Sequence, residues 1–475
     1  MKLLLSFTLL AVCFLPIISQ AQSLDLDRKL GEENAAMVEA QMGIYADKEK
    51  TAYINQVGQR LVSNLEKPLF DYQFHIVPDM SPNAFALPGG YIYITTGLIP
   101  LLESEDELAC IIGHEIIHSN NRHSIKQLKK SILPRLLEVP GNLLGALNKD
   151  LGALFNAPIE TSNALLLASY SRGSETESDI QGTALAAAAG YDPNAMIPAL
   201  NRLSEAIEVA LGEKETKNYF NDHPYTPNRV KTLEKNIAKL TWQHTANISP
   251  SYIYEVDGLL FGDSPAKGVI VDNRFLHYDL DFTIAFPENW DIDNQPTNVG
   301  AYNEDRNAAV FVSLDNSDNS PAEAATLFLA DLPEEYEVKL SAHEERIING
   351  RKGYLVSFID KIDDVTMYGY ILWVPLEDKL FKLIGITPIE YRPDLEKTAK
   401  SLRSLTGSEK KSITIKKVKV VKAEKNETIE TLSKRTGNLL NSELTGVVNS
   451  RGVNDKLKKG ETVKIVLSYP YKGEN

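Results

Sequence analysis

The chain has 475 residues, of which 43% are hydrophobic and 24% charged, and its formal net charge is −14 at neutral pH. The length predicts two or three domains, and the composition excludes a wholly disordered or fibrous protein. The excess of negative charge argues against nucleic acid as a general partner, because binding to phosphates requires a basic surface.

The N-terminus carries the pattern of a secretory signal peptide: Lys2, an apolar run, and the small residues Ser19 and Ala21. We predict that residues 1–21 are removed by a cut after Ala21. A retained membrane anchor is the alternative, but the apolar run is short for a bilayer. Cys110 would then be the only cysteine of the mature chain, which excludes an intramolecular disulfide, and we expect its thiol to be buried.

The first predicted domain, residues 22–245, is mainly α-helical with a small β-sheet. Residues 24–66 have apolar positions at helical spacing, whereas FDYQFHIV and GGYIYITTG alternate as strands do. The strand YIYIT has two interpretations. It is either an exposed strand that binds an extended polypeptide through its main chain, with Tyr91 and Tyr93 as substrate-binding residues, or an ordinary core strand.

A helix that begins after Ser104 carries the most informative motif. The Ser104 hydroxyl can cap the first turn, and Glu107 can complete a capping box. The helix contains GHEIIH, in which His114 and His118 lie one turn apart on the same face and can bind the same metal ion. A catalytic zinc site has three protein ligands, so another element must supply the third. His123 is rotated off this face, and we expect it to be structural.

The third ligand is predicted in SRGSETESD, on a helix that covers about residues 174–189. Glu175 and Asp179 are four residues apart on one face, whereas Glu177 points elsewhere. We predict Glu175 as the zinc ligand and Asp179 as the acceptor that fixes the ring of a ligand imidazole. A solvated helix face is the competing interpretation, and the GHEIIH motif upstream disfavours it.

Three further residues complete the predicted site. Glu115 is the predicted general base, since zinc lowers the pKa of its water toward ~7 and a carboxylate beside it can take the proton and return it to the leaving amine. His223 and Arg229 lie in NDHPYTPNR. His223 would hydrogen-bond the oxyanion or occupy the open zinc position, and Arg229 would support it or pair with a carboxylate. A structural turn fixed by two prolines is the alternative.

The rest of the chain divides by composition. Residues 140–156 are apolar but interrupted by glycines, and they form a flap over the site, a membrane-touching stretch or a packed helical hairpin. Residues 246–270 are a predicted linker. Residues 271–408 are a predicted α+β accessory domain to which we assign no chemistry, and residues 414–469 are a small, locally basic α+β unit.

Four motifs occur in a characteristic order: NAFALPGGYIYITTGLI, GHEIIHSNNRHS, YSRGSETESD and HPYTPNR. Together they resemble the CAAX-prenyl-protease-like family of zinc metalloendopeptidases over residues 25–240, and most closely its soluble secreted branch, which includes periplasmic beta-barrel-assembly-enhancing proteases of Gram-negative bacteria. The resemblance implies a zincin-type fold with one Zn²⁺ per chain. It also implies roles for five residues, namely His114, His118 and Glu175 as ligands, Glu115 as catalytic glutamate and Asp179 as support.

The last unit resembles a LysM domain in VKVV, NETIETLSKRTG and LKKGETVKIV, which implies peptidoglycan as a partner of residues 414–469. The sequence as a whole predicts an exported zinc metalloendopeptidase that cleaves polypeptides in envelope protein quality control. We expect it in the periplasm of a Gram-negative bacterium or associated with the outer membrane. The alternative is a chaperone-like or wall-binding scaffold that uses a peptidase fold.

Overall fold

The computed structural model describes residues 24–127, 170–211, 223, 227–245, 252–331, 340–362 and 364–473. The predicted signal peptide and the segment 140–156 lie outside the described residues. The chain divides into two compact units. The first comprises Met1–Asp263 with Lys416–Ser468, and the second comprises Ser264–Ile415 with Tyr469–Asn475. In the described part of the chain, no helix has both the length and the apolarity needed to cross a membrane.

The first unit begins with two helices within residues 24–66, the segment that the sequence predicted to be helical. Helix α1 covers residues 24–42 and α2 covers Lys48–Val62. Gly43 separates them with a φ of 70°, a left-handed conformation that favours glycine. Asp47 then caps α2 by accepting hydrogen bonds from two main-chain amides of the first turn.

A three-stranded sheet follows, formed by β1 (Gln73–Val77), β2 (Ala84–Ala86) and β3 (Tyr91–Thr95). The strand order is β1-β3-β2, with β1 parallel and β2 antiparallel to β3. Strand β3 therefore has hydrogen-bonded neighbours on both edges. This placement contradicts the predicted binding of an extended substrate along YIYIT, because no edge of that strand is free.

The side chain of Tyr93 is buried in the hydrophobic core. It is 0% exposed and stacks between the rings of His75 and Phe85, at centroid distances of 5.2 and 5.1 Å. Tyr91 and Tyr93 belong to a hydrophobic cluster that includes Ala35 and Val38 of α1. The alternative interpretation of YIYIT as a core strand agrees with this packing.

Helix α3 (Glu105–Asn120) carries GHEIIH and is followed by the short α4 (His123–Gln127). Ser104 caps α3 as predicted, since its hydroxyl accepts a hydrogen bond from the Glu107 amide. The predicted capping box is wrong in its return bond, because the Glu107 carboxylate accepts from the amide of Glu103 instead, at 2.7 Å. Three acidic residues in the first turn suit the positive end of the helix dipole.

The next helices in the described part of the chain are α5 (Arg172–Ala188), α6 (Met196–Leu211), α7 (Pro227–Ile237) and α8 (Tyr252–Glu255). Two glycines allow α3 and α5 to cross closely. A Cβ atom on Gly182 would lie 2.7 Å from the main-chain nitrogen of His114, and one on Gly113 would lie 2.9 Å from the Gly182 carbonyl oxygen. This close approach brings the first turn of α5 against the histidines of α3.

The second unit contains two antiparallel sheets. Strands β4 (Val269–Val271), β5 (Arg274–His277) and β6 (Phe282–Ala285) form the smaller sheet. The larger sheet has seven strands, which are β7 (Asp291–Gln295), β8 (Asn298–Tyr302), β9 (Ala309–Asp315), β10 (Leu340–Ile348), β11 (Arg351–Ile362), β12 (Val365–Leu376) and β13 (Lys379–Pro388). Their order in the sheet is β10-β11-β12-β13-β9-β8-β7. The helices are α9 (Pro321–Ala330), α10 (Arg392–Ser401) and α11 (Gly407–Ser412).

The C-terminal segment has the order strand, helix, helix, strand, with β14 (Thr414–Lys422), α12 (Ile429–Thr436), α13 (Ser442–Val448) and β15 (Thr462–Pro470). Lys416–Ser468 of this segment groups with the first unit. Lys464 of β15 donates hydrogen bonds to the carbonyl oxygens of Pro100 and Leu102, at 2.8 and 2.9 Å. The segment therefore packs against the residues that directly precede α3 in the chain.

Candidate metal centre

Four side chains from distant parts of the sequence converge at the face where α3 meets α5. They are His114, His118, Glu175 and His223, all of them buried, and their candidate ligand atoms lie within 4.8 Å of one another. Ser171 caps α5 by accepting from the Ser174 amide, so that α5 begins at Arg172 and Glu175 lies in its first turn. The local cap thus sets the position of the carboxylate along the helix.

The spacing of the four groups suits a metal ion. The Nε2 atoms of His114 and His118 are 2.9 Å apart, and Glu175 Oε1 is 3.2 Å from both His118 Nε2 and His223 Nδ1. His223 Nδ1 is also 3.2 Å from His114 Nε2. Tetrahedral zinc with bonds of about 2.0–2.1 Å places its ligand atoms roughly 3.3 Å apart. Imidazole nitrogens with a carboxylate oxygen are also the donor set that zinc prefers, so the residues fit this ion.

Glu115 lies beside the cluster with its carboxylate fully buried. Across the residues that the structure describes, no donor is within hydrogen-bonding distance of either Glu115 oxygen, and Nε2 of His223 lies 3.6 Å from Oε1. Burial raises the pKa of Glu115 above its usual value. A carboxylate in this state has a high affinity for a proton.

An outer layer of charge surrounds the ligand groups. Asp179 Oδ1 lies 3.0 Å from His114 Nδ1, and the Arg229 guanidinium donates to both Asp179 oxygens, at 2.6 and 2.8 Å. Arg229 Nη1 also lies 3.0 Å from Glu175 Oε2 and donates to the His223 carbonyl oxygen at 3.1 Å. One arginine therefore contacts both carboxylates and holds the segment that carries His223.

These contacts explain the ionisation of the cluster. Burial opposes the ionisation of Glu175, but the three histidines around it hold its pKa well below the usual range. Burial likewise opposes ionisation of Asp179, yet His114 and Arg229 lower its pKa. Burial alone would lower the pKa of His114, but Asp179 and Glu175 raise it to about 9. The carboxylates therefore create a site for positive charge, which a proton or a metal cation can fill.

The outer nitrogen of His118 faces a different group. Its Nδ1 is 3.1 Å from Nδ1 of His123, whose Nε2 is 3.2 Å from Glu177 Oε2. The ring of Tyr170 lies over His118 at a centroid distance of 3.9 Å, and its hydroxyl donates to the Ala86 carbonyl oxygen. Sequence reasoning gave these three residues no role at the site. In the sequence, these residues could have been suspected because they lie in NNRHS and in YSRGSE and the residues that follow it, next to the predicted ligands.

The structure brings together seven of the nine predicted site residues: His114, Glu115, His118, Glu175, Asp179, His223 and Arg229. His223 reaches the cluster as a fourth candidate ligand, which corresponds to the predicted alternative in which it occupies the open position. Tyr91 and Tyr93 lie in the hydrophobic cluster with α1 instead.

Comparison with known proteins shows what this region is similar to. Residues 48–237 match the sequence model of peptidase family M48. The chain is 28% identical over 219 residues to the mitochondrial metalloendopeptidase OMA1 of Schizosaccharomyces pombe, a match that covers 45% of this chain and 61% of that protein. It is 27% identical over 218 residues to the beta-barrel assembly-enhancing protease of Escherichia coli, covering 44% and 43% of the two chains.

A beta-barrel assembly-enhancing protease of Yersinia pestis is 26% identical over 237 residues, a match that covers 49% of this chain and 48% of that protein. The chain thus spans between about two fifths and three fifths of the length of these curated relatives. The matched residues include all four groups of the buried cluster and Glu115. Residues 48–237 of the first unit are therefore similar to peptidase family M48.

Proposed function

We propose that this protein is a zinc-dependent metalloendopeptidase that hydrolyses peptide bonds of polypeptides. The observation that supports the proposal is the buried cluster of three imidazoles and one carboxylate beside Glu115, whose oxygens have no hydrogen-bond donor among the described residues. Burial of a carboxylate without a hydrogen-bond donor reduces the stability of the folded protein. Buried ionisable groups of this kind cluster at catalytic sites. The family match of residues 48–237 agrees with hydrolysis of peptides.

The roles of the residues follow from their positions. His114, His118 and Glu175 would hold the zinc ion, which when bound supplies a Lewis acid that polarises the scissile carbonyl and acidifies water. Glu115 takes a proton from the attacking water, and its raised pKa favours this transfer. The same carboxyl group then gives that proton to the nitrogen of the leaving amine. Asp179 orients the His114 ring, and Arg229 balances the charge of Asp179 and Glu175.

His223 lies where it would fill the position that a catalytic zinc site leaves open. If all four groups held a four-coordinate ion, no place would remain for water or substrate. We therefore propose that His223 moves away before each catalytic cycle, and that the arrangement in the structure is a resting state. Replacement of His223 by alanine is then expected to maintain or increase the cleavage of an unfolded protein such as casein. A large loss of kcat would instead assign His223 to stabilisation of the oxyanion.

The direct test uses the chain without residues 1–21. We expect one zinc per chain and cleavage of casein by the wild type. Glu115→Gln should keep the metal and lose cleavage, because the amide cannot take a proton, whereas Glu175→Ala should lose both, because a ligand is removed. Glu205→Gln on the exposed face of α6 is the matched control and should behave as the wild type. Zinc binding without cleavage by the wild type or by His223→Ala would favour a metal-stabilised scaffold.

We further propose that the protein is exported to the periplasm, or is associated with the outer membrane, and acts on misfolded or unassembled envelope proteins. The pattern of residues 1–21 and the similarity to beta-barrel assembly-enhancing proteases support this proposal. Cell fractionation would test the location. The binding of peptidoglycan by the LysM-like unit is a separate proposal, and co-sedimentation of the chain with purified cell-wall sacculi would test it. Recovery of all the protein in the supernatant would contradict that binding.

A further inference from the structure

Each of the two metal-ligand histidines of α3 has a partner for the nitrogen that faces away from the cluster. The partner of His114 is the carboxylate of Asp179, which lies on α5. The partner of His118 is the imidazole of His123, at 3.1 Å between the two Nδ1 atoms. The second histidine of the pair is thus oriented by a neutral ring rather than by a charged group.

Hydrogen-bond rules determine which atoms carry the protons in this contact. His118 directs Nε2 into the cluster, so the only proton of its neutral ring is on Nδ1. That N–H can be satisfied by His123 only if Nδ1 of His123 is an acceptor. His123 then carries its own proton on Nε2, which lies 3.2 Å from the acceptor oxygen Glu177 Oε2. The chain from His118 through His123 to Glu177 therefore has a single consistent set of tautomers. The Ser178 hydroxyl oxygen lies 3.4 Å from His123 Nδ1 and can also donate a hydrogen bond to it.

The main chain at His123 is fixed by a contact with the N-terminal helix. Arg122 precedes His123 and has a φ of 58°, a left-handed conformation that costs a non-glycine residue about 1 kcal/mol or more. Its guanidinium donates through Nε and Nη2 to the two oxygens of Asp27, at 2.9 and 2.5 Å. Asp27 belongs to α1 and is 0% exposed. A buried, bidentate ion pair therefore holds the turn that begins α4 at His123.

We propose that His123 is a positioning residue for the metal ligand His118, and that the ion pair of Asp27 with Arg122 fixes its location. This inference rests on the proposed function, because it assigns His123 a task at the same metal site. His123 accepts the Nδ1 proton of His118 and keeps Nε2 of that ring directed at the metal. Loss of such an outer contact typically reduces metal affinity about 10–100-fold.

The test compares two substitutions of His123 in the full mature chain. Leucine has a similar volume but no acceptor, whereas the side-chain oxygen of asparagine can take the position of the acceptor Nδ1. We expect His123→Leu to weaken zinc affinity about 10-fold or more, measured by competition with a chelating dye. His123→Asn should stay within about threefold of the wild type. The kcat should fall in the leucine variant with little change of KM, because His123 is buried behind His118 and is only 2% exposed.

The matched control is His75→Leu, which removes a largely buried histidine from β1 and should leave zinc affinity unchanged. The proposal is overturned if His123→Leu binds zinc as tightly as the wild type. It is also overturned if the leucine and asparagine variants are weakened equally, since that result would indicate a packing role alone. A wild type that binds no zinc would refute the proposed function itself, which separates the two failures.

A second variant keeps the test decisive if His123→Leu does not fold. Glu177 has a side chain that is 42% exposed, so Glu177→Ala should not disturb folding. We expect this variant to weaken zinc affinity by about threefold or more, because the acceptor for His123 Nε2 is lost. Glu205→Ala on the surface of α6 is its control. Unchanged zinc affinity in Glu177→Ala would then overturn the proposal.

Discussion

Replacement of Lys464 by methionine is expected to destabilise the first unit of the fold. The Lys464 residue is 2% exposed, and its Nζ atom donates to the carbonyl oxygens of Pro100 and Leu102 and lies 3.0 Å from Glu103 Oε1. Methionine keeps most of the apolar stem but cannot donate a hydrogen bond. The substitution therefore removes the donor from two main-chain carbonyls directly before α3, the helix that carries the zinc ligands.

The size of the effect follows from these contacts. A buried acceptor that loses its donor costs about 1–3 kcal/mol, and two carbonyls are affected. The carboxylate of Glu103 is 35% exposed and can be hydrated, so it adds little. Burial of the ammonium group has a cost of its own, which lowers the pKa of Lys464 and which methionine removes. We therefore expect the free energy of unfolding to fall by about 2–4 kcal/mol, a decrease in Tm of roughly 5–15 °C.

Scanning calorimetry of the mature chain measures this change. The transition that contains the metal centre can be recognised because a chelator shifts it, since ligand binding stabilises only the folded unit that binds. That transition should move in Lys464→Met and remain in place in Lys459→Met, which removes an exposed lysine from the same segment. An unchanged zinc-dependent transition in Lys464→Met would refute the reasoning, and residues 416–468 would then be a tethered module.

Three further outcomes are expected. Burial raises the pKa of the Cys110 thiol, so a thiol reagent should react slowly with the native mature chain and label one cysteine only after denaturation; fast labelling of native protein would contradict this. Gly182→Ala should lower the free energy of unfolding by about 1–3 kcal/mol and reduce zinc retention, because the new Cβ atom would clash with His114. Gly173→Ala on the same helix, where no atom lies closer than 3.8 Å to the new Cβ, should leave both unchanged. Urea unfolding and zinc analysis measure the two effects. The pKa of Lys464 is lower in the folded chain than the unfolded value of 10.5, so the unfolded chain binds more protons at pH values between the two. The free energy of unfolding of the wild type should therefore rise relative to that of Lys464→Met as the pH increases through this interval. An equal difference between the two proteins at about pH 7 and about pH 10 would contradict this.

The features that the sequence determined by itself are local. A spacing of four residues places His114 and His118 on the same helix face in any helix, whatever surrounds it. Ser104 caps α3 because its hydroxyl needs only the amide of Glu107, three residues further on. These interactions depend on backbone geometry within one or two turns, which is why a pattern of residues predicts them.

Tertiary structure alone decided the features that depend on distant contacts. His223 reaches His114 across 109 residues, and Lys464 reaches Pro100 across 364. The position of YIYIT in the middle of its sheet depends on which strands pair with it, and a period of two residues predicts only that a strand forms. Likewise, His123 was predicted to lie rotated off the ligand face, but α3 ends at Asn120, and the contact of His123 with His118 depends on the turn that Arg122 and Asp27 hold. Local spacing in the sequence determines which face of a helix or strand a side chain occupies, whereas the packing of the whole chain determines which residues contact that face.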